Sequence, residues 1–335
     1  MVVPTPNVEG QRFNTEHTAS WHRDGGVLIE RFFTADEVKA VVADFEKVFV
    51  VPSGGGERLD EKRRGQLGRF SEQQFATFAP VPFDCSPALN LIGVHPALVS
   101  LAKELLRAED VHLYQCQAWA KFTGAADYDQ PFHCDFANHT LTVPAEDAAD
   151  SCVTVLCYFT DVSETHGPAH YVARPDSATV ADAAFFGTDD ELAQIQVDLS
   201  AMARSTASPA GSIFPYSIDV FHRGTNMTEA NGRRYAVMAC FKRAGDDAVA
   251  YHSWASDHHK PWANIFEHAT PEQLACFGVQ PPGDPFWTAL TIERAQRRYP
   301  GWDLTPYRSA LNRSALNRSA LNSAALNSAA SDRSN

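Results

Sequence analysis

Between Val111 and Phe122 the chain runs without a glycine or proline and alternates with period two, which commits this stretch to a β-strand. One face would carry Val111, Leu113, Gln115, Gln117, Trp119 and Lys121, the other His112, Tyr114, Cys116, Ala118, Ala120 and Phe122. The first face mixes apolar and polar residues, which suits the lining of a cavity better than a sealed core. Short strand-like segments follow: one around His133, then Cys152 to Thr160, His170 to Ala173, Ser212 to Arg223 and Arg233 to Lys242. Helical periodicity is weak throughout this region. Many short antiparallel strands predict a mainly β chain, a cupin-like jelly roll or double-stranded β-helix with its core over residues of about 110–245. Between the last two segments lies Gly224 to Gly232, rich in turn formers, and its composition predicts an antiparallel hairpin that sets Arg234 near His222.

Helices are expected to flank this core. Thr34-Ala35-Asp36-Glu37 reads as a capping box opening a helix of about four turns, and Pro96 opens a second with Leu98, Leu101, Ala102 and Leu105 on one face. Thr270-Pro271-Glu272-Gln273 reads as the cap of a short helix, and another is expected from Thr288 to Tyr299, stopped by Pro300-Gly301. From Arg308 to Asn335 the chain repeats Arg-Ser-Ala-Leu-Asn and then decays into Ser, Ala and Asn. A period of five fits neither a helical stripe nor a strand face, so the expectation is one domain over residues 1–307 and a disordered low-complexity tail over 308–335.

Composition narrows the function classes. A hydrophobic content of 44% supports a substantial core, and no run of about 18 apolar residues or signal-peptide layout stands out, so a cytoplasmic protein is expected. Seven cysteines without a C-x-x-C pair argue against a disulfide framework or zinc knuckle. A net charge of -13 disfavours nucleic acid and anionic membranes as partners and leaves a small-molecule substrate as the expected one. The basic cluster Lys62-Arg63-Arg64 with Arg69 sits beside Glu57, Asp60 and Glu61 and reads as a solvated loop.

His133-Cys134-Asp135, followed by His222, supplies two imidazoles and one carboxylate. Such a set on one face of an octahedral ion leaves positions open for oxygen and a co-substrate, as iron(II) oxygenases require. In extended chain His133 and Asp135 point the same way while Cys134 points away. A second His-x-Asp, His22-Arg23-Asp24, precedes Gly25-Gly26 and reads as a surface turn. His139 reads as a packed or turn histidine near the site, His166 and His170 as a loop entering a strand, and His258-His259 as surface or lid.

Trp119-Ala120-Lys121, Asp129-Gln130-Pro131-Phe132-His133-Cys134-Asp135, His222-Arg223-Gly224-Thr225 and Arg233-Arg234-Tyr235, in that order, resemble the phytanoyl-CoA dioxygenase family of iron(II)/2-oxoglutarate-dependent oxygenases. Asp24-Gly25-Gly26-Val27-Leu28 resembles that family's N-terminal region, and the likeness extends over residues of about 20–307. The resemblance implies iron(II) on His133, Asp135 and His222, with 2-oxoglutarate and O2 as co-substrates. A basic residue after the second histidine would hold the distal carboxylate of 2-oxoglutarate. Strand alternation leaves Arg233 and Arg234 both open, and the Arg234-Tyr235 pairing favours Arg234. Thr225 is expected to donate to the same carboxylate, and Lys121 to sit near substrate or co-substrate. Related halogenases lack the carboxylate ligand, so Asp135 points to hydroxylation of an unactivated C–H bond in a small or medium-sized metabolite, with release of succinate and CO2. Desaturation or ring closure on the same framework, and a metal- or ligand-binding jelly roll without catalysis, are the competing readings. Cys134 stands where similar proteins often have Gln or Arg, and Pro175-Asp176-Ser177-Ala178 replaces their Pro-Gly-Ser-His segment, so substrate identity does not transfer.

Overall fold

A computed structural model describes residues 12–49, 77–80, 83, 85–123, 129–143, 151–180, 189–243, 245–246, 263–267, 271, 274 and 279–313. Two compact units emerge, Met1–Phe136 with Asp147–Asp246, and Ala137–Glu146 with Asp247–Asn335.

The first unit is built on two antiparallel sheets. Strands β1 (Phe78–Pro80), β2 (Val111–Phe122), β3 (Cys152–Tyr158), β4 (Ala169–Tyr171), β5 (Arg204–Ser205), β6 (Ile213–Ser217), β7 (His222–Gly224) and β8 (Arg233–Arg243) assemble in the orders β1-β2-β8-β3-β6 and β5-β4-β7. The long strand read from the sequence is β2, with a bulge between Leu113 and Gln115. Its cross-strand partners fix the two faces of the large sheet. Cys116, Ala118, Ala120 and Phe122 share one face with Val153, Val155, Cys157, Tyr235, Val237, Ala239 and Phe241, and all belong to the main hydrophobic core. Helices α1 (Thr15–Asp24), α2 (Ala35–Val48) and Pro96–Leu106 contribute Trp21, Val41, Phe45, Leu98, Leu101 and Leu105 to that core. The Pro87–Leu106 stretch is apolar and long enough to cross a membrane by composition, yet its side chains Leu89, Ile92, Leu98, Leu101, Ala102, Leu105 and Leu106 are spent here. The opposite face of the sheet looks inward and carries Gln117, Trp119, Lys121, Arg234, Ala236, Met238, Leu156, Tyr158, Phe214 and Tyr216.

The expected hairpin does not form. Ser212 to Arg223 breaks at a turn closed by Val220 N–H donating to Ser217 O at 3.1 Å. Strand β6 therefore stays in the large sheet beside β3, while β7 crosses to β4 in the small one and β8 returns between β2 and β3. Alternating between sheets in this way is what a jelly roll does, and a hairpin within one sheet is what it avoids. The His133 segment is likewise not a ladder strand. Pro131 has no N–H to donate and a short helix, Phe136–His139, follows at once, so the pairing shrinks to one bridge between His133 and His222.

Helix α2 begins at the Thr34 capping box as expected. His22-Arg23-Asp24 is not a surface turn: it is the end of α1, whose own capping box uses His17 at the position where Glu or Gln is diagnostic. On a helix His22 and Asp24 diverge, and the Asp24 carboxylate pairs with Arg23 at 2.8 Å and Arg204 at 3.6 Å.

Within the second unit the helix Ala289–Arg298, capped by Thr288, packs Ile292 and Ala295 against Trp287, Tyr299, Trp302, Leu304 and Tyr307. Residues 305–313 are helical, so the first residues of the segment expected to be structureless are ordered. Leu304, Tyr307, Ala310 and Leu311 recur at helical spacing, and this stripe carries the helix past residue 307 into the first repeat. The remainder of the tail, Lys62 to Arg69, His258-His259 and most of the Thr270 cap lie outside the described residues.

Candidate metal centre and co-substrate pocket

His133 and His222 are direct antiparallel partners: the N–H of each donates to the carbonyl of the other, at 3.0 and 2.9 Å. This pair of backbone hydrogen bonds brings the rings to 4.5 Å between centroids. Each ring then donates its Nδ1–H to a carbonyl two residues back, His133 to Pro131 at 2.9 Å and His222 to Val220 at 3.0 Å. That choice of tautomer leaves Nε2 of both as a free lone pair facing the same space. Asp135 Oδ1 lies 3.9 Å from His133 Nε2 and 3.5 Å from His222 Nε2, and one donor atom from each residue falls within 4.8 Å of the others. Octahedral bonds of about 2.1 Å meeting at right angles need donors about 3 Å apart, so small side-chain adjustments close this set on one ion. Cys134 points away, its Sγ 3.2 Å from Asp219 O. His133 is the most exposed of the three side chains.

The electrostatics favour a cation. Burial, reinforced by His222, lowers His133 to about 4 and keeps its imidazole neutral. At His222 burial opposes protonation, but the Asp135 carboxylate outweighs it and raises the group. A metal ion would take over that role and release the proton.

One residue that holds the centre was not singled out from the sequence. Tyr216 on β6 donates its hydroxyl to Asp135 Oδ2 at 2.9 Å and packs its ring 4.6 Å from that of His222. It therefore turns Asp135 so that Oδ1 faces the histidines. The readable signal was a tyrosine in an otherwise apolar strand, since a buried phenol needs a partner.

The basic residues separate cleanly. Arg234 and Lys121 are cross-strand partners on the inward face and are 2% and 1% exposed. Arg233 is on the other face, exposed, and paired with Glu46 at 2.9 Å. The Arg234 guanidinium lies over the Trp119 ring at 4.8 Å and hydrogen-bonds the Gly167 carbonyl, while its buried Nε has no partner among the described residues. Lys121 Nζ donates to the Thr225 carbonyl at 2.7 Å, and burial together with Arg234 lowers its amine to about 7. Thr225 is thus in the pocket, but its hydroxyl donates to Pro168 O at 2.7 Å, so the expected donation to a co-substrate is already spent. Among the described residues the hydrogen bonds of these two buried basic side chains go to carbonyls, an arrangement that could receive an anion.

The match to known proteins agrees. The sequence model of the phytanoyl-CoA dioxygenase family fits residues 21–235. The chain belongs to the phytanoyl-CoA dioxygenase family. Its members are iron(II)/2-oxoglutarate-dependent oxygenases, and the residues present here fit both groups: His133, Asp135 and His222 fit the metal, and the cation pair fits a dicarboxylate. No curated protein sequence matches the chain significantly. Among solved structures, EctD from S. alaskensis with 2-oxoglutarate and 5-hydroxyectoine is 15% identical, with a TM-score of 0.51 over 72% of this chain and 80% of that one. SnoK, a non-heme alpha ketoglutarate dependent carbocyclase from nogalamycin biosynthesis, is 18% identical, with a TM-score of 0.50 over 72% and 88%. At such identities the likeness establishes the jelly-roll fold shared with this family.

Proposed function

We propose that this oxygenase hydroxylates an unactivated C–H bond of a small or medium-sized metabolite, with iron(II) on His133, Asp135 and His222 and the distal carboxylate of 2-oxoglutarate on Arg234 and Lys121. The observation that carries the reading is Asp135: its carboxylate is present, inward, and oriented by Tyr216, so a halide has no vacated ligand position to fill. Bound iron, 2-oxoglutarate and O2 together supply the oxidising power for C–H cleavage, with succinate and CO2 as co-products. What the chain contributes is placement. The Nδ1 hydrogen bonds of both histidines fix their Nε2 atoms, and Tyr216 fixes Asp135. The cation pair anchors the co-substrate through its far end, and Trp119 supports Arg234 from below. Ala236, Leu156, Phe214 and Met238 line the inward face and keep water from the reacting centre. Thr225 serves the pocket through its carbonyl, which holds the Lys121 amine.

The retained donor set and the buried cations speak against a binding protein that has lost catalysis. SnoK is a carbocyclase, so ring closure is the second reading for this fold. Anaerobic addition of iron(II) and 2-oxoglutarate should produce a visible charge-transfer band, and air should then release succinate. His222→Ala should abolish both signals and His22→Ala should retain both. A metabolite screen for stimulated succinate release then supplies the substrate. A product one oxygen heavier, labelled from 18O2, supports hydroxylation, whereas loss of two hydrogens without oxygen gain assigns desaturation or ring closure instead.

A further inference from the structure

The segment that carries His133 is held at two edges, and only one of them by a strand. Toward β7, His133 exchanges both backbone hydrogen bonds with His222. Gln130 closes a second rung there, donating its N–H to Gly224 O at 2.9 Å and accepting the Gly224 N–H through its own Oε1 at 2.7 Å. In extended chain the neighbouring residue turns its N–H and C=O to the opposite edge, and for Phe132 no strand lies there among the described residues. The helix Asp189–Met202 fills that edge with one side chain. Gln196 accepts the Phe132 N–H through Oε1 at 2.7 Å and donates its Nε2 to the Phe132 carbonyl at 3.0 Å. One primary amide thus supplies the donor and the acceptor that a strand would, and only one orientation of it satisfies both bonds. Ile195 and Leu199 of the same helix are buried and anchor it beside the segment.

The consequence reaches the metal ligand through one peptide plane. The N–H that Gln196 holds and the Pro131 carbonyl belong to the same rigid unit, so fixing the direction of one fixes the other. That carbonyl accepts the Nδ1–H of His133 at 2.9 Å, the bond that leaves Nε2 for the ion. On the face turned away from the metal, the Phe132 ring is buried under the Arg223 guanidinium at 4.7 Å, so the residues adjoining the two histidines also lock together. We propose that Gln196 is a positioning residue for the metal centre: by holding the Pro131–Phe132 peptide it sets the orientation of the His133 ring. This rests on His133 as an iron ligand, as in the function proposed above. Both hydrogen bonds of Gln196 go to Phe132, and none goes to the cations assigned to 2-oxoglutarate. Its loss should therefore register in metal binding and spare the affinity for co-substrate.

The test compares the full wild-type chain with Gln196→Met, which keeps the length and helix propensity of the side chain and removes both bonds. Gln194→Ala, which removes an exposed bond to Asp198 at 3.0 Å on the same helix, is the control. In the metal-free protein, hydrogen exchange of the Phe132 amide should accelerate about tenfold in Gln196→Met. Iron(II) or cobalt(II), titrated anaerobically without 2-oxoglutarate, should bind about 10- to 100-fold more weakly. The charge-transfer band of the iron(II) and 2-oxoglutarate chelate should shift, while the KM for 2-oxoglutarate at saturating iron(II) stays within about twofold. Gln194→Ala should match wild type in every readout. Wild-type metal affinity and band in Gln196→Met would overturn the proposal and reduce Gln196 to a packing contact. An equal loss in Gln194→Ala, or a KM for 2-oxoglutarate that rises as steeply as the metal affinity falls, would overturn it as well, since either reports general loosening. His133→Ala tests the reading on which this depends: wild-type metal affinity there would show that His133 is not a ligand, and Phe132 exchange alone then decides whether Gln196 holds the peptide.

Discussion

Lys121→Met separates the pocket's two roles for this lysine, a burden on the empty protein and an asset to the loaded one. Burial and Arg234 lower the amine from its ordinary 10.5 to about 7. Below pH 7 both folded and unfolded chains carry the proton, and the folded one bears the full cost of the buried charge. Between about 7 and 10.5 the unfolded chain still binds a proton that the folded chain has lost, so wild-type stability climbs with pH. The slope is about 1.4 kcal/mol per pH unit, or about 5 kcal/mol across the interval at most. Lys121→Met lacks this slope and loses the 2.7 Å bond to Thr225 O, a pH-independent offset of about 1 kcal/mol. Denaturant unfolding of both proteins from pH 6 to 10 should show the variant's advantage greatest at low pH and shrinking steadily above 7. The KM for 2-oxoglutarate should rise with pH above about 7 in wild type, by up to about tenfold per unit, because binding must then take up a proton. In the variant it should be about 10- to 100-fold higher at pH 7 and flat. Parallel stability curves, or an unchanged pH slope of KM, would show that Lys121 is neither the titrating group nor a carboxylate partner.

Arg234→Ala should raise the KM for 2-oxoglutarate by about 100-fold or more, while Arg233→Ala, which removes an exposed pair with Glu46 and a contact over the Tyr235 ring on the outward face, should leave it within about twofold; equal mild effects would undo the assignment. Tyr216→Phe should weaken iron(II) affinity by about 10- to 100-fold and shift the chelate band, since Asp135 Oδ2 loses its donor; an unmoved band and affinity would reduce Tyr216 to packing. Gly167 has φ +68°, and a Cβ there would meet Thr225 O at 2.5 Å, so Gly167→Ala should destabilise by about 1–3 kcal/mol and also weaken 2-oxoglutarate binding by displacing the Arg234 and Lys121 carbonyl acceptors. Thermal denaturation and co-substrate titration check both parts, and a neutral variant would show the two carbonyls to be dispensable.

Where local chemistry and tertiary demand agree, the fold was legible. Strand β2 alternates as expected from Gln115 to Phe122 and α2 opens on Thr34 with Glu37 three residues on, so these were readable, whereas the bulge between Leu113 and Gln115 moves Val111 and Leu113 to the core face and His112 off it, contrary to the expected faces. Helix α1 was missed because His17 replaces the acidic cap partner, and its sequence is otherwise polar. The break between β6 and β7 was missed for a different reason. Ser217-Ile218-Asp219-Val220 contains no glycine or proline, and the turn there exists because β7 must leave one sheet for the other. Chain reversal within a sheet and crossing between sheets look alike in composition.

The metal ligands were legible because a chemical requirement, two imidazoles and one carboxylate, selects few residues even when each short motif is common. Their geometry was not, since the His133–His222 bridge joins segments 89 positions apart and leaves no periodic trace. The choice between Arg233 and Arg234 had the same character. Alternation puts them on opposite faces, but only the partner strand says which face is inward: Lys121 opposite Arg234, and Phe122 in the helix-covered core opposite Arg233. A family's resemblance names what its members share, and the groups left over on the inward face are where this chain's own specificity has to lie.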